Sequence, residues 1–478
     1  MDTNKLKKFA QAARRQLREE VATRLEVVLN TDSAELREYE KALTSLKTQI
    51  SETSKEAVIA RVAYTWFNRF CALRFMDANR YTRIGVVSPA KGFTQPEILA
   101  EAKQGHIDEE LNRYLNRQKV FDLLAGRLPS KDPQNEAYRM LLVAMCNYYN
   151  ASMPFLFSKI ADYTQLLMPV DLLSEAAVLN SVREALTDET CEDVEVIGWL
   201  YQFYISEKKD EVFEGLKKNQ KITPENIPAA TQLFTPHWIV KYLVENSLGR
   251  LWMLNRPDSG LVDKMEYYIR PDTSGQLSGI SDQQEVISDQ PSVGSSQQEA
   301  NTDNCTLNTD YLRISSPEDI KICDPACGSG HMLVYAFDLL YAIYEEEGYE
   351  PTEIPQKILT HNLYGIEIDE RAGELAAFAL TMKARSKDRR FFNRGILPHI
   401  CVLENVRFDA GELKTYMDEI GRDLFTANFQ TTLHQFEEAD NFGSLIRPAF
   451  TDTHFILQRI KERIYPAICF CSRPIRRC

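Results

Sequence analysis

Residues 320–344 constrain the fold of this chain more than any other segment. A short apolar run at 320–323 leads into a turn that contains Gly328 and Gly330, and a helical pattern follows at 332–344. Apolar side chains in that pattern recur at three- and four-residue spacing, at Leu333, Phe337, Leu340 and Tyr344. A strand that turns this sharply into an amphipathic helix predicts a βαβ unit and therefore a parallel sheet.

The pattern continues beyond the first helix. Residues 362–366 are predicted to form a second strand, residues 371–384 a second helix, and residues 400–403 a third strand. Four apolar side chains of the second helix are expected to face the sheet: Leu375, Phe378, Ala379 and Met382. The C-terminal half is therefore predicted as a partial Rossmann-like α/β sheet.

The N-terminal half is predicted to be helical. Trp66, Phe67, Phe70 and Leu73 follow helical spacing, which is more typical of a core stripe than of a base-stacking platform. With 478 residues the chain is long enough for two or three domains. We predict a helical domain at 1–225, an α/β domain at 226–270 and 305–465, a flexible insertion without aromatic or basic residues at 271–304, and an atypical tail at 466–478.

Composition limits the compartment and the partners. The net charge of −13 argues against a chain whose whole surface binds DNA, because phosphate contacts need clustered Lys and Arg. No apolar run reaches the roughly 18 to 20 residues that cross a bilayer, and the charged start does not resemble a signal peptide. The ten cysteines have no disulfide-like spacing. We expect a cytoplasmic protein without a membrane partner.

The turn and the end of the second strand carry the candidate site. Gly328 and Gly330 permit positive φ and close approach of a ligand, and the N-terminus of the next helix offers backbone N–H groups to a carboxylate. Glu367 stands at the end of strand two, where doubly wound folds place a ribose-binding acid. A nicotinamide oxidoreductase is the alternative, but its Gly-x-Gly-x-x-Gly turn would need glycine where Leu333 stands.

Residues 324–330, Asp-Pro-Ala-Cys-Gly-Ser-Gly, resemble the first motif of the S-adenosylmethionine-dependent N6-adenine DNA methyltransferases. A second element, at Thr235 and Pro236, resembles the Phe-Thr-Pro element of the same family, although Thr as N-cap and Pro at the first helical position would begin any helix. The resemblance implies S-adenosylmethionine as cofactor, with the turn at its methionine, Glu367 at its ribose, and Ile368 and Asp369 beside its adenine. The cofactor-binding residues so implied are Thr235, Pro236, Asp324, Pro325, Ala326, Cys327, Gly328, Ser329, Gly330, Glu367, Ile368 and Asp369.

The order of these elements is similar to that of the modification subunits of type I and fused type II restriction systems. Residues 1–10, 63–70 and 197–204 look like the methyltransferases of BREX phage-defence systems, and the resemblance extends to about residue 408. It implies methyl transfer to adenine N6 in double-stranded DNA, with other defence proteins as further partners.

The sequence departs from the family in one respect. The family's catalytic Asn-Pro-Pro-Tyr motif is missing, since the chain contains no Pro-Pro dipeptide. We therefore assign no catalytic residue, and the alternative is a truncated, inactive fragment that acts as a cofactor-binding or protein-interaction module. No metal site is expected, because Cys469 and Cys471 lack a second cysteine pair. Cys327 is interpreted as a small packing residue rather than a nucleophile.

Overall fold

The structure is a computed structural model that describes residues 3–31, 39–158, 163–223, 226–233, 235–270, 313–420, 427–450, 452–455 and 458. The predicted insertion at 271–304 and the predicted tail at 466–478 lie outside these residues. Within the described ranges, no helix combines the length and the apolar character needed to cross a membrane.

The N-terminal part, here called the head, consists of helices. They are α1 (Thr3–Asn30), α2 (Glu40–Glu52), α3 (Lys55–Ala78), α4 (Glu97–Lys103), α5 (Arg117–Leu124), α6 (Pro133–Tyr149), α7 (Tyr163–Leu166), α8 (Val178–Ala185) and α9 (Glu195–Lys217), with a short 3₁₀ turn at Glu109–Arg113. Long α1 packs on α3 and α9. It does so through one stripe of buried side chains at three- and four-residue spacing: Leu6, Ala10, Ala13, Leu17, Val21, Leu25 and Val28.

Helix α3 lies at the centre of the head. It begins after Ser54, whose hydroxyl accepts a hydrogen bond from the Ala57 N–H over 3.1 Å and so caps the helix. The side chains of Trp66, Phe67, Phe70 and Leu73 are no more than 1% exposed. The prediction that this stripe belongs to the core, rather than to a base-stacking surface, is therefore confirmed.

The C-terminal part contains a small sheet and its helices. Helices α10 (Ile227–Thr231), α11 (His237–Val244) and α12 (Arg250–Asn255) come first, followed by β1 (Ile322–Asp324), α13 (His331–Glu346), α14 (Ile354–Lys357), β2 (Leu363–Glu367), α15 (Glu370–Lys387) and β3 (His399–Val402). Helices α16 (Ala410–Ile420), α17 (Ala427–Gln435) and α18 (Ala439–Phe442) follow, and then a 3₁₀ turn at Gly443–Leu445. The described residues thus form a mostly helical α/β structure.

The sheet has three parallel strands in the order β1-β2-β3. Ile322 lies opposite Leu363, and Tyr364 lies opposite His399. Because parallel strands end at the same edge, the turn after β1 and the residues after β2 are neighbours. The five predicted elements of this region all form, and their ends differ from the predicted ones by three residues or fewer.

The orientation predicted for α15 is wrong. The side chains expected to face the sheet instead pack in the core of the head, where the ring of Phe378 lies 6.1 Å from that of Phe75; they are Leu375, Phe378, Ala379 and Met382. The sheet side of α15 is formed by other residues, Ala376, Leu380 and Ala384. Periodicity identified one apolar face, but α15 is sandwiched and has two.

The segment before the sheet is fixed to α13. Glu245 is fully buried at the end of α11, and its carboxylate accepts a hydrogen bond from the Tyr335 hydroxyl of α13 over 2.6 Å. The backbone N–H of Tyr267 donates to the same carboxylate. A buried acid with these partners holds residues 237–267 against α13.

Candidate cofactor-binding site

The glycine turn is built on the end of β2. The backbone N–H of Cys327 donates to the carbonyl of Ile366 over 3.0 Å, which extends the strand pairing into the turn. Gly328 has φ +54° and Gly330 has φ +88°, a backbone region that favours glycine. A Cβ on Gly330 would lie 3.0 Å from the Cβ of Ala376 on α15. The turn therefore depends on glycine both for its conformation and for its close packing.

Glu367 closes the site from the other strand. One of its carboxylate oxygens, Oε2, accepts a hydrogen bond from the Gly328 N–H over 2.7 Å. The other, Oε1, accepts from the N–H groups of Ile368 and Asp369, each over 3.0 Å. Burial raises the pKa of Glu367, while the three backbone hydrogen bonds favour its ionised form. The turn and the acid, predicted separately from sequence, are in direct contact.

The first half of the turn is open to solvent. Pro325 and Ala326 are exposed, and the Asp324 carboxylate accepts from the Ala326 N–H over 3.2 Å. Burial raises the pKa of Asp324. Cys327 points inward, is 5% exposed, and burial raises the pKa of its thiol, which keeps it uncharged. This environment suits the packing role expected for Cys327 and does not favour a reactive thiolate.

Asp369 is engaged within the protein. Its carboxylate forms a two-point ion pair with Arg371, at 2.8 Å from Nε and 2.9 Å from Nη2, and it accepts from the Arg371 N–H at the start of α15. The buried Tyr201 hydroxyl of the head also donates to Asp369. The Asp369 side chain thus links α15 to the head, and its place beside a ligand stays a prediction. Ile368, one residue earlier, is half-buried.

The Thr235–Pro236 element lies beside the start of α13, but not as a Thr-capped helix. Helix α11 begins at His237 with Pro236 in the N-cap position and no side-chain cap hydrogen bond. The expectation of Thr235 as N-cap is therefore wrong by one residue: Pro236 has a ψ of 140°, outside the helical range, so the helix begins only at His237. The His237 ring lies 6.1 Å from that of Tyr335, which brings the element close to α13.

Sequence reasoning missed four residues that the head, α11 and α13 bring near the turn. The Ser329 hydroxyl lies 3.2 Å from Nε2 of His331, and Nδ1 of His331 lies 3.7 Å from Oε1 of Glu195 in α9. His237 Nδ1 lies 3.5 Å from the same Glu195 oxygen. A Cβ on Gly198 would lie 2.5 Å from His331 Nε2. The available signal was Gly198 itself, since glycine inside a helix often marks a close approach.

Burial controls the charge of this cluster. It lowers the pKa of His331 to about 4, so the imidazole is neutral near pH 7. It also raises the pKa of Glu195, although neighbouring His237 opposes that shift. Within the described residues, no group of three or more His, Cys, Asp or Glu side chains is arranged to hold a metal ion. The cluster is therefore a hydrogen-bonding support of the turn.

Comparison with known proteins shows that the chain resembles DNA methyltransferases. The family model of the MmeI DNA-methyltransferase domain matches residues 298–398, which include the turn, β2 and Glu367. The adenine-specific methyltransferase BrxX of Escherichia coli O9:H4 (strain HS) is 36% identical over 516 aligned positions, covering 97% of this chain and 39% of BrxX. The adenine-specific methyltransferase PglX of Lacticaseibacillus casei (strain Zhang) is 34% identical, covering 90% of this chain and 33% of PglX.

Nearly the whole chain is therefore similar to part of two proteins named adenine-specific methyltransferases, BrxX and PglX. It spans between a third and two fifths of the length of these relatives.

Proposed function

We propose that this chain binds S-adenosylmethionine at residues 324–330 and Glu367, as the cofactor-binding part of a methyltransferase that modifies adenine N6 in double-stranded DNA. The observation that carries the proposal is the 2.7 Å hydrogen bond from the Gly328 N–H to the Glu367 carboxylate. It unites the glycine turn and the acid in one site at the carboxyl edge of a parallel sheet, the usual ligand position in such folds.

The residues present suit the cofactor. A carboxylate has about four lone-pair sites, and Glu367 uses three of them for backbone donors, so it can still accept a ribose hydroxyl. The N-terminus of α13, beginning at His331, offers backbone N–H groups and a favourable dipole to the methionine carboxylate. The open edge at Pro325 and Ala326 gives a ligand access. Thr235 and Pro236 would complete the site from α11.

These residues bind and orient, and they carry no covalent step. The cofactor's sulfonium supplies the electrophilic methyl group. The glycine turn and Glu367 hold the nucleoside and amino-acid ends, which fixes the direction of the methyl group and gains rate through orientation. The neutral His331 beneath Ser329 keeps the turn in shape without adding charge beside the sulfonium.

Isothermal titration calorimetry tests the cofactor assignment. S-adenosylmethionine is expected to bind and NAD is not. Glu367→Ala is expected to reduce S-adenosylmethionine affinity at least about tenfold, because ribose loses its acceptor. Glu370→Ala is the matched control, since Glu370 is an exposed acid only three residues away. Binding of NAD alone, or equal affinities in the Glu367 and Glu370 variants, would overturn the assignment.

A second candidate is a cofactor-binding or interaction module that transfers no methyl group by itself. The observation that favours it is the lack of a Pro-Pro dipeptide in the 478 residues, because the family's catalytic motif contains one. Transfer of tritiated methyl groups to double-stranded DNA distinguishes the two. Incorporation by this chain alone supports a complete enzyme, whereas cofactor binding without incorporation supports the module.

The broader setting rests on the resemblance of residues 1–10, 63–70 and 197–204 to BREX methyltransferases. It supports a cytoplasmic role in phage defence, with other defence proteins as partners, and a division into a helical domain at 1–225 and a methyltransferase domain at 226–270 and 305–465. Adenine methylation mapped across the genome in cells with and without the gene tests this setting. Loss of a site-specific methylation pattern in the deletion strain is expected.

A further inference from the structure

A cavity lies far from the glycine turn, between the head and the C-terminal end of α15. Its volume is about 470 Å³, within the range of small-molecule sites. Tyr81, Tyr114 and Tyr148 line it from the head. Arg385 lines it from α15, and Arg389 lines it from the turn that follows α15. Helix α15 has 18 residues, so its rise of about 1.5 Å per residue separates this cavity from Glu367 by roughly 25 Å.

The cavity combines aromatic walls with two arginine side chains, and one nitrogen of Arg385 lacks a hydrogen-bond partner. The guanidinium carbon of Arg385 lies 5.0 Å from the ring centre of Tyr81 and 5.4 Å from that of Phe392. Its Nε is buried and has no hydrogen-bond partner. A buried donor without a partner is unfavourable, so this atom is suited to an acceptor that a ligand would bring. Arg389 is exposed and lies just beyond the end of α15, four residues after Arg385.

The lining selects the chemical class of the ligand. Tyrosine rings favour a flat aromatic ring, and the Arg385 and Arg389 guanidinium groups favour phosphate oxygens. A purine nucleotide carries both groups. Asp108 and Glu110 also line the cavity, and Glu110 engages Arg83 over 2.8 Å. These acids disfavour an extended polyanion such as DNA, so a small nucleotide suits the cavity better.

We propose that this cavity is a purine-nucleotide site, distinct from the cofactor turn, with the base among the tyrosines and the phosphate at Arg385 and Arg389. Because the walls come from both the head and α15, a bound nucleotide stabilises the contact between them by binding only the folded arrangement. The site is thereby suited to link nucleotide concentration to the state of the head–methyltransferase junction.

Calorimetry on the full chain with saturating S-adenosylmethionine tests the proposal, using GMP, AMP, guanosine and inorganic phosphate as separate probes. At least one nucleotide is expected to bind more tightly than guanosine or phosphate. Arg389→Ala is expected to weaken that binding at least about tenfold. Arg390→Ala is the matched control, because Arg390 is an exposed neighbour that does not line the cavity. The nucleotide affinity of this variant should equal that of the unchanged protein.

Glu367→Ala distinguishes the two sites, because it is expected to lose S-adenosylmethionine and to keep the nucleotide. Tyr148→Leu, which removes one aromatic wall, is expected to reduce nucleotide affinity while leaving phosphate binding unchanged. Three outcomes would overturn the proposal: no nucleotide binding at millimolar concentration, phosphate binding equal to that of the nucleotides, or nucleotide binding that is lost in Glu367→Ala and kept in Arg389→Ala.

Discussion

Gly198 in the head lies so close to His331 at the start of α13 that a Cβ on the glycine would be 2.5 Å from Nε2 of the imidazole. The same Cβ would be 2.8 Å from the Ser329 hydroxyl in the glycine turn. His331 is 13% exposed at its side chain, so its ring has little space to retreat. The shape of the turn therefore depends on a glycine in a different part of the chain.

Gly198→Ala is expected to displace His331 and Ser329, lowering the melting temperature and weakening S-adenosylmethionine binding by about tenfold, or about 1.4 kcal/mol. Gly215→Ala is the control in the same helix, because its Cβ would meet the side chain of exposed Gln220, whose Oε1 would be 2.8 Å away. That side chain can move, and alanine favours helix by up to about 1 kcal/mol. Equal effects of the two substitutions on thermal unfolding and calorimetry would contradict the proposed role of Gly198.

Tyr201→Phe is expected to destabilise the protein by about 1 to 3 kcal/mol, because Asp369 loses a buried hydrogen-bond donor. Tyr204→Phe is a matched control one turn later in α9, since the Tyr204 hydroxyl is buried and has no hydrogen-bond partner. Removing that hydroxyl should leave stability unchanged or raise it. Urea unfolding of the three proteins measures the difference, and a larger loss for Tyr204→Phe would refute the assigned role of Tyr201.

Stability is expected to fall between pH 7 and pH 4.5 partly through His331. Its pKa is lowered from 6.5 to about 4 by burial, so the unfolded chain takes up a proton in this window while the folded protein does not. Stability from this group is present above pH 6.5 and is lost as the pH falls toward 4. The loss by pH 4.5 is about 2 kcal/mol.

His331→Phe removes the titrating group and keeps most of the ring volume. Urea unfolding at both pH values should give a smaller loss of stability in the variant than in the unchanged protein, although the variant is less stable at pH 7 because Ser329 loses its partner. Glu195 is present in both proteins, so its contribution largely cancels in this comparison. Identical losses in the two proteins would exclude a buried, neutral His331.

Local pattern was sufficient to predict the elements around the turn, because two glycines between an apolar run and an amphipathic helix allow few alternatives. It was also sufficient to bring Gly328 and Glu367 to one edge, since parallel strands end together. Local pattern could not predict which element packs against each face of a helix. Phe378 and Met382 face the head rather than the sheet, and an apolar stripe does not identify what covers it.

Local sequence pattern likewise could not predict the contacts between the head and the turn. Glu195 and His331 are 136 positions apart in the chain, and only the tertiary fold brings them to 3.7 Å. Asp369 was expected beside the ligand from its place in a motif, but a motif does not reveal that Tyr201 and Arg371 engage its carboxylate. Long-range polar partners depend on packing that single-sequence spacing does not encode.

Gly328→Ala and Gly330→Ala are expected to separate ligand approach from folding. A Cβ on Gly328 would meet nothing within 4 Å, so alanine there costs only the positive φ of +54°, about 1 to 2 kcal/mol. That empty space is where a ligand would approach the turn, so S-adenosylmethionine affinity should fall sharply although the protein still folds. Gly330 has a φ of +88°, and a Cβ there would also lie only 3.0 Å from the Cβ of Ala376. Gly330→Ala should therefore lower the melting temperature further. Thermal unfolding and calorimetry on both variants measure the two effects, and unchanged S-adenosylmethionine binding in Gly328→Ala would show that the ligand does not approach this face of the turn.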